Sequence, residues 1–214
     1  MNNWKNIAIK CLEDEANSIS RLIPNIDNGF QKAVELILEC HGKVVITGVG
    51  KSGHIGAKIA ATLSSTGTPS FYVSPLDMYH GDLGVVSEGD IVIGISYSGQ
   101  TDELLKIVPS LTERNIPIIG ISGFRDSILA KNSNAHICIH VEEEARPLRL
   151  APTCSSTATL AMGDALACCL MDARGFKEND FAKFHPGGML GKRLLTKASD
   201  VMSKDNLPVT APDT

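Results

Sequence analysis

The chain has 214 residues, enough for one large domain or for one domain with short additions. Its net charge is −4 and it has no block of basic residues, which argues against nucleic acid as the main partner. No apolar run is long enough to span a bilayer, and the charged N-terminus lacks a signal-peptide pattern, so we expect a cytoplasmic protein with no membrane partner. The six cysteines show no metal-ligand spacing and are typical of small apolar side chains in a reducing compartment.

Two helices are predicted before the first strand. Apolar residues recur at helical spacing over residues 3–22, and Pro24 ends this helix. A second helix is predicted over residues 28–40, with His41-Gly42 as its stop signal. We expect residues 1–41 to cover the sheet, and we favour a second role for them as a dimer surface.

Strand-like and helix-like runs alternate through the middle of the chain. The predicted strands are Val44–Ile46, Ser70–Val73, Ile91–Ile95, Ile116–Ile121 and Ala135–Ile139. Helical stretches are predicted over residues 54–66, 101–114, 125–131 and 155–174. The alternation predicts an α/β fold, a doubly wound, mostly parallel five-stranded sheet between two layers of helices. In such sheets ligands bind outside the carboxyl ends of the strands.

The loop after the first strand is rich in glycine. The spacing Gly48-x-Gly50-x-x-Gly53 permits a tight turn and close approach of a ligand to the backbone. A helix predicted from Ile55 would direct free N–H groups at the sheet edge, which favours an anion. Ser52 adds a hydroxyl to this loop and Lys51 adds a positive charge.

Four interpretations of the glycine loop compete. A dinucleotide site requires an acidic residue at the end of the second strand, where Ser74-Pro75 follows instead. A Walker loop requires glycine where Val45 stands. The loop could also be a structural turn. We favour a site for a small phosphate ester, because a second candidate phosphate loop follows the third strand.

That second loop reads Ser96-Tyr97-Ser98-Gly99-Gln100-Thr101. Its hydroxyl residues are good helix caps, and capping alone would explain them. Two hydroxyl-rich turns at neighbouring strand ends could instead enclose one phosphate dianion with hydroxyl and N–H groups. We favour the phosphate interpretation.

Four single residues and one run of three carry further candidate polar or reactive groups. His80 is either a structural histidine or a hydrogen-bond partner of a substrate hydroxyl. The run Glu142–Glu144 is typical of a solvated loop, although one of its carboxylates could turn inward as a base. His185 precedes a stiff Pro-Gly-Gly turn and could reach a pocket on its own or another subunit. Asp164 is expected to form a cap or buried hydrogen bond, and Cys154 to be buried rather than reactive.

Several motifs in fixed order resemble the sugar isomerase (SIS) domain, and more narrowly the D-arabinose-5-phosphate isomerases of Gram-negative bacteria. They are Gly48-Val-Gly-Lys-Ser-Gly-His-Ile-Gly, Ser64-Ser-Thr-Gly-Thr-Pro-Ser-Phe, His80-Gly-Asp-Leu-Gly, Pro147-Leu-Arg-Leu-Ala-Pro-Thr and His185-Pro-Gly-Gly-Met-Leu-Gly. The resemblance implies a flavodoxin-like SIS fold, interconversion of D-ribulose 5-phosphate and D-arabinose 5-phosphate, and supply of the acidic sugar Kdo for lipopolysaccharide or capsule. It also implies a homotetramer with sites at subunit contacts.

The resemblance also assigns residues and boundaries. It places the catalytic groups at Lys51, Glu103, Glu144 and His185, and the substrate- and phosphate-binding groups at Gly50, Ser52, His80, Ser96, Ser98 and Thr101. Glu144 is expected to carry the proton, with Glu103 or His185 as its partner and Lys51 stabilising negative charge. No metal or organic cofactor is required. The SIS domain is expected over 42–196, and residues 197–214 resemble the start of a CBS module, a pair of which usually follows.

This sequence departs from the family pattern at a few positions. Tyr97 stands where asparagine is usual, and Gln100 where glutamate is common. Arg146 and Arg149 replace smaller residues, and they suggest an acidic pathway product as a feedback ligand.

Two other functions stay open, an SIS isomerase for a different sugar phosphate and a non-catalytic regulatory module that binds sugar phosphates. Whether the chain is a short form without CBS modules or part of a longer one is also open.

Overall fold

The computed structural model describes residues 3–188, 192–194 and 196–202. Residues 189–191 of the predicted His185-Pro-Gly-Gly turn and residues 203–214 of the predicted tail lie outside this range. The chain divides into two compact units, Met1–Gly175 and Phe176–Thr214.

The first unit is built on a five-stranded parallel sheet with strand order β2-β1-β3-β4-β5. Its strands are β1 (Val44–Gly48), β2 (Ser70–Tyr72), β3 (Ile91–Ile95), β4 (Ile118–Ser122) and β5 (Ala135–Cys138). All five strands were predicted from the sequence, and the α/β fold with helices on both faces is confirmed. The order is that of flavodoxin-like folds, in which the connections leave β1 and β3 in opposite directions.

Helices cover both faces of this sheet. They are α1 (Trp4–Ser20), α2 (Asn28–Glu39), α3 (Lys51–Ser65), α4 (Pro75–Tyr79), α5 (Asp102–Leu105), α6 (Val108–Glu113), α7 (Ile128–Lys131) and α8 (Cys154–Ala173), with short 3-10 turns at Ile23–Asn25 and Asp82–Val85. The second unit contains α9 (Glu178–Phe184) and a short helix at Ala198–Val201. Within it the rings of Phe176 and Phe184 stack.

Two apolar cores lie on opposite faces of the sheet. Val44 and Ile46 of β1 pack with α2, α3 and α8, whereas Val45 packs with residues of α4 to α7. Neighbouring side chains of a strand point to opposite faces, so a strand covered on both sides needs an unbroken apolar run. The strands β1, β3 and β4 are buried along their whole length, and the loops after β1 and β3 therefore begin at buried residues.

Local backbone constraints explain two differences from the predicted helices. The helix after β1 begins at Lys51 rather than Ile55, because Gly50 supplies the positive φ of 58° that lets it start one turn earlier. The helix predicted over 101–114 is divided into α5 and α6. Pro109 occupies the first turn of α6, and it has no N–H group to continue the hydrogen bonding of α5.

The long helix α8 corrects two expectations. By length and composition alone it could cross a membrane, contrary to the sequence expectation; half of it is buried, however, as in the core helix of a globular fold. Asp164 was expected to form a cap or buried hydrogen bond. It instead forms a half-exposed ion pair with Lys58 of α3, at 2.5 Å. Cys154, at the start of α8, is buried as predicted.

Helix α1 presents its apolar residues to solvent. Trp4 is 73% exposed and Leu12 is 68% exposed. The opposite side of α1 lies against α8. Cys11 packs on the apolar core that includes α8, and Glu15 Oε2 accepts a hydrogen bond from Thr157 at 3.0 Å. Helix α1 packs on α8, and α2 packs on β5 and α8. The role of residues 1–41 as a cover of the sheet and as a dimer surface stays a prediction.

Candidate functional site

The first predicted phosphate loop joins the carboxyl end of β1 to α3. β1 ends at Gly48, and α3 begins at Lys51 after the positive-φ residue Gly50. A Cβ at Gly48 would lie 2.9 Å from the carbonyl oxygen of Ile95, so close packing requires glycine there. The first N–H groups of a helix have no acceptor within it, and α3 therefore begins with donors suited to an anion.

The second predicted loop follows β3 and is organised by Ser96. This buried hydroxyl lies 2.7 Å from Thr101 Oγ1 and accepts a hydrogen bond from the Gly99 amide at 3.0 Å. Gly99 has a φ of 64°, and a Cβ there would lie 2.2 Å from Ser127 Oγ. Ser96 thus lies beneath the loop, whereas Ser98 and Thr101 lie at its surface.

A cavity of about 420 Å³ lies beside both loops and the N-terminus of α8. It sits at the carboxyl ends of β1 and β3, which are adjacent in the sheet and where the strand order reverses. The cavity is lined by Val49, Lys51, Ser52, Ile55, Tyr97, Ser98, Thr101, Glu144, Leu150, Pro152, Ser155, Ser156 and Thr159. Of the predicted site residues, the structure brings together Lys51, Ser52, Ser98, Thr101 and Glu144.

Glu144 is held by the first residues of α8. Its Oε2 atom accepts hydrogen bonds from the Thr153 amide at 2.8 Å, from Thr153 Oγ1 at 3.2 Å and from the Ser155 amide at 3.2 Å. Thr153 Oγ1 in turn accepts from the Ala145 amide at 2.9 Å. The positive end of the helix dipole attracts a carboxylate. A glutamate that the sequence placed in a solvated loop is therefore fixed at the cavity wall.

The three consecutive glutamates have different surroundings. Glu142 forms an exposed ion pair with Arg21, and Glu143 forms one with Arg149 at 2.6 Å. Only Glu144 of the three lines the cavity. The sequence indicated that one carboxylate of this run could turn inward, and the contacts with α8 identify which one.

Other predicted residues of the first unit lie outside the cavity lining. Gly50 lies between two lining residues, and Ser96 lies beneath the second loop. Glu103 is half-buried in α5 and does not line the cavity. His80 follows α4, is exposed, and contacts the Tyr79 ring edge-on at 5.5 Å.

His185 belongs to the second unit. It follows α9, its ring stacks on that of Phe181, and its Nδ1 donates a hydrogen bond to the Phe181 carbonyl oxygen at 2.9 Å. Nε2 of His185 has no hydrogen bond to the residues that the structure describes.

Sequence reasoning missed the contribution of α8 to the site. Ser155, Ser156 and Thr159 bring a third set of hydroxyls to the cavity. The run Thr153–Thr157 at a helix start was the available signal, but only the folded chain brings it beside β1 and β3. Tyr97 also lines the cavity, and burial raises the pKa of its hydroxyl, with a further increase from nearby Glu144.

Comparison with known proteins gives consistent matches. The chain is 50% identical over 203 residues to the arabinose 5-phosphate isomerase KdsD of Yersinia pestis, covering 94% of this chain and 62% of the relative. It is 49% identical over 195 residues to KpsF, an arabinose 5-phosphate isomerase of Escherichia coli O6:H1 strain CFT073, covering 91% and 60%. The chain thus spans about three fifths of the length of these curated relatives.

A solved structure agrees with these sequence matches. A protein of Escherichia coli CFT073 in complex with arabinose 5-phosphate superposes with a TM-score of 0.82 at 41% identity, over 87% of this chain and all of that chain. Residues 37–168 match the family described as the SIS domain. This chain belongs to the SIS domain family.

Proposed function

We propose that the chain interconverts D-ribulose 5-phosphate and D-arabinose 5-phosphate through a cis-enediolate, in the cytoplasm, and so feeds Kdo synthesis for lipopolysaccharide or capsule. The observation that carries this proposal is that the Glu144 carboxylate shares one cavity with both candidate phosphate loops. The relatives named arabinose 5-phosphate isomerase and the solved neighbour in complex with that sugar phosphate support the choice of pentose.

The phosphate group binds at the switch point between β1 and β3. Backbone N–H groups at the start of α3 donate to its oxygens, and the hydroxyls of Ser52, Ser98 and Thr101 complete the binding site. Lys51 forms no salt bridge with any residue in the described part of the chain. Its ammonium group is therefore available to balance the charge of the phosphate or of the enediolate.

Glu144 is the proposed proton carrier. In the ketose-to-aldose direction it removes a proton from C1, forms the cis-enediolate and returns the proton to C2, while a second group serves the oxygens. Its Oε2 atom is fixed by three donors, and Oε1 accepts no hydrogen bond from the residues that the structure describes. A base held in this way needs little rearrangement in the transition state, because its orientation is set before the substrate binds.

The second proton transfer is assigned to Glu103 or His185, and a role in substrate binding to His80. We propose that a homotetramer completes the site, with these groups acting within or between subunits. The exposed apolar residues of α1, led by Trp4 and Leu12, support self-association, since an unpartnered face of this kind is a common contact between subunits. Measuring the mass of the particle in solution tests this part of the proposal.

An acidic product of the same pathway is proposed as a feedback ligand. The basis is Arg146 and Arg149, which are both exposed on the segment that follows Glu144, and Arg149 pairs with Glu143. Stabilisation of the protein against heat by Kdo supports this part of the proposal, and no stabilisation rejects it.

The deciding experiment is incubation of this chain with ribulose 5-phosphate, followed by separation and quantification of arabinose 5-phosphate. Hexulose 6-phosphates and amino-sugar phosphates are run in parallel. Turnover of the pentose alone supports the proposal, turnover of another substrate changes the assigned sugar, and binding without turnover indicates a regulatory module.

A further inference from the structure

Two partly buried tyrosines each hold one wall of the cavity through the hydroxyl group. Tyr72, at the end of β2, donates a hydrogen bond to the carbonyl oxygen of Gly48 at 2.7 Å. Tyr97, after β3, donates to the carbonyl oxygen of Val141 at 3.0 Å and accepts from the Val141 amide at 3.3 Å. The first contact fixes the start of the phosphate loop, and the second fixes the start of the segment that carries Glu144.

The Tyr97 side chain is itself tightly held. Its ring meets Phe124 edge-on, with centroids 5.7 Å apart, and Phe124 contacts His140 in the same way. A Cβ at Gly123 would lie 2.8 Å from the Tyr97 ring, and the Gly123 amide donates to the Tyr97 carbonyl at 2.8 Å. The hydroxyl is thus presented to Val141 from a fixed ring.

The contact at Val141 matters because Glu144 follows three residues later. The carboxylate is anchored to α8, but its backbone otherwise belongs to an exposed loop whose residues 146–150 are all exposed. Tyr97 secures the buried side of that loop, since Val141 is only 6% exposed. Without the hydrogen bonds between Tyr97 and Val141, Glu144 would still contact Thr153. The distance between its carboxylate and the phosphate loop would no longer be fixed.

The hydrogen bond from Tyr72 to Gly48 holds the cavity wall that is formed by the first phosphate loop. A Cβ at Gly53, in the first turn of α3, would lie 2.6 Å from the Tyr72 hydroxyl and 2.7 Å from the Gly48 carbonyl. Tyr72 therefore packs into the angle between β1 and α3, which sets where the first N–H groups of α3 lie. Burial raises the pKa of Tyr72 and of Tyr97, so both hydroxyls remain protonated donors at neutral pH.

We propose that Tyr97 is a positioning residue for Glu144 and Tyr72 a positioning residue for the phosphate loop, so that catalysis and substrate binding are controlled through two separate tyrosine contacts. The kinetic part of this inference rests on the proposed isomerase function. Neither hydroxyl is assigned to proton transfer.

Tyr97→Phe and Tyr72→Phe form a matched pair, because each removes one hydroxyl and keeps the ring. Tyr97→Phe is expected to lower kcat about 10- to 100-fold with KM changed less than about threefold, since a small displacement of the base costs rate rather than binding. Tyr72→Phe is expected to raise KM about tenfold with kcat nearly kept. The same change in both variants would overturn the separation of roles.

A double-mutant cycle tests whether Tyr97 acts through Glu144. If it does, adding Tyr97→Phe to Glu144→Gln causes no further loss of kcat. If the two losses multiply, Tyr97 acts independently of Glu144 and the inference is wrong. Gly123→Ala gives a second route to the same answer, because it displaces the Tyr97 ring without removing the hydroxyl and should also lower kcat.

Amide hydrogen exchange gives a readout that needs no turnover. Tyr97→Phe should accelerate exchange in peptides covering residues 139–153, and Tyr72→Phe should not. Unchanged exchange there in Tyr97→Phe would overturn the inference. A wild-type chain without isomerase activity would refute the proposed function, and exchange would then still decide whether Tyr97 holds this segment.

Discussion

Glu144 Oε2 and the amide nitrogen of Thr153 lie 2.8 Å apart, which anchors the candidate base to the N-terminus of α8. This contact joins an irregular loop to a core helix that packs on α1 and α3. The carboxylate satisfies N–H groups that would otherwise lack an acceptor at the helix start. The same interaction therefore caps α8 and places an acidic group in the cavity.

Glu144→Gln should lower kcat by about 10²- to 10⁴-fold, the range for loss of a general base. The amide oxygen of glutamine can still accept from Thr153 and Ser155, so substrate binding should survive. The measurement is kcat and KM for ribulose 5-phosphate, with arabinose 5-phosphate binding followed by calorimetry. Near-normal turnover would show that Glu144 is not the base.

Glu143→Gln is the matched control. Glu143 is adjacent in sequence, but its carboxylate is exposed and pairs with Arg149. An exposed ion pair contributes about 0–1 kcal/mol to stability, so both turnover and stability should stay close to wild type.

The sequence predicted the sheet well, because unbroken β-branched runs such as Val44–Ile46 are typical of strands covered on both faces. It also indicated that the loops after β1 and β3 lie together, since carboxyl ends of parallel strands share one edge. Composition and spacing alone could not distinguish Glu144 from Glu142, because that choice depends on a hydrogen bond to a residue of α8, and only the family resemblance named Glu144.

The surface that a helix faces and the residue at which it begins were harder to predict than the presence of the helix. The apolar stripe of α1 predicted a helix correctly, but periodicity does not reveal whether a stripe faces the same chain or another surface. The early start of α3 depends on the positive φ of Gly50, and glycine permits that value without requiring it.

Ser98 and Ser96 should respond differently to replacement by alanine. Ser98 lines the cavity, so Ser98→Ala should raise KM for the sugar phosphate with little loss of stability. Ser96→Ala removes the buried hydroxyl that binds the Gly99 amide and Thr101, although the Gly99 amide keeps the Ser96 carbonyl oxygen as an acceptor, and it should lower the free energy of unfolding by about 1 kcal/mol. Steady-state kinetics and urea unfolding separate the two effects. A stability loss in Ser98→Ala equal to that in Ser96→Ala would contradict these separate roles.

Gly50→Ala should strain the phosphate loop. Gly50 has φ 58° and ψ −124°, a conformation that an L-residue with a Cβ adopts only at a cost of about 1–3 kcal/mol, although no atom obstructs the Cβ. We expect lower stability in urea unfolding and a higher KM, since relief of the strain would move the first N–H groups of α3. Gly84→Ala is the control, because its Cβ meets nothing within 4 Å and its φ is not positive. Equal stability of the two variants would show that the loop tolerates a side chain.

His136 should make stability depend on pH. Burial lowers the pKa of this β5 histidine, and nearby Arg125 lowers it further, while Asp27 acts in the opposite direction. Its Nε2 lies 2.8 Å from Ser122 Oγ. The folded state therefore favours the neutral ring. Below the unfolded pKa of about 6.5, the unfolded chain binds more protons than the folded chain does. The stability that the neutral His136 ring contributes is fully present above the unfolded pKa. It falls as the pH drops from there toward the lower pKa of the folded state.

The measurement is the free energy of urea unfolding at several pH values from about 5 to 8, for wild type and for His136→Gln. Asp27 also has a lowered pKa, but it titrates well below this range and leaves the comparison undisturbed. Glutamine can retain a hydrogen bond with Ser122 and cannot titrate, so the slope between about pH 5 and 6.5 should be smaller in the variant. Equal slopes in the two proteins would mean that the ring of His136 gains its proton as easily in the folded chain as in the unfolded one.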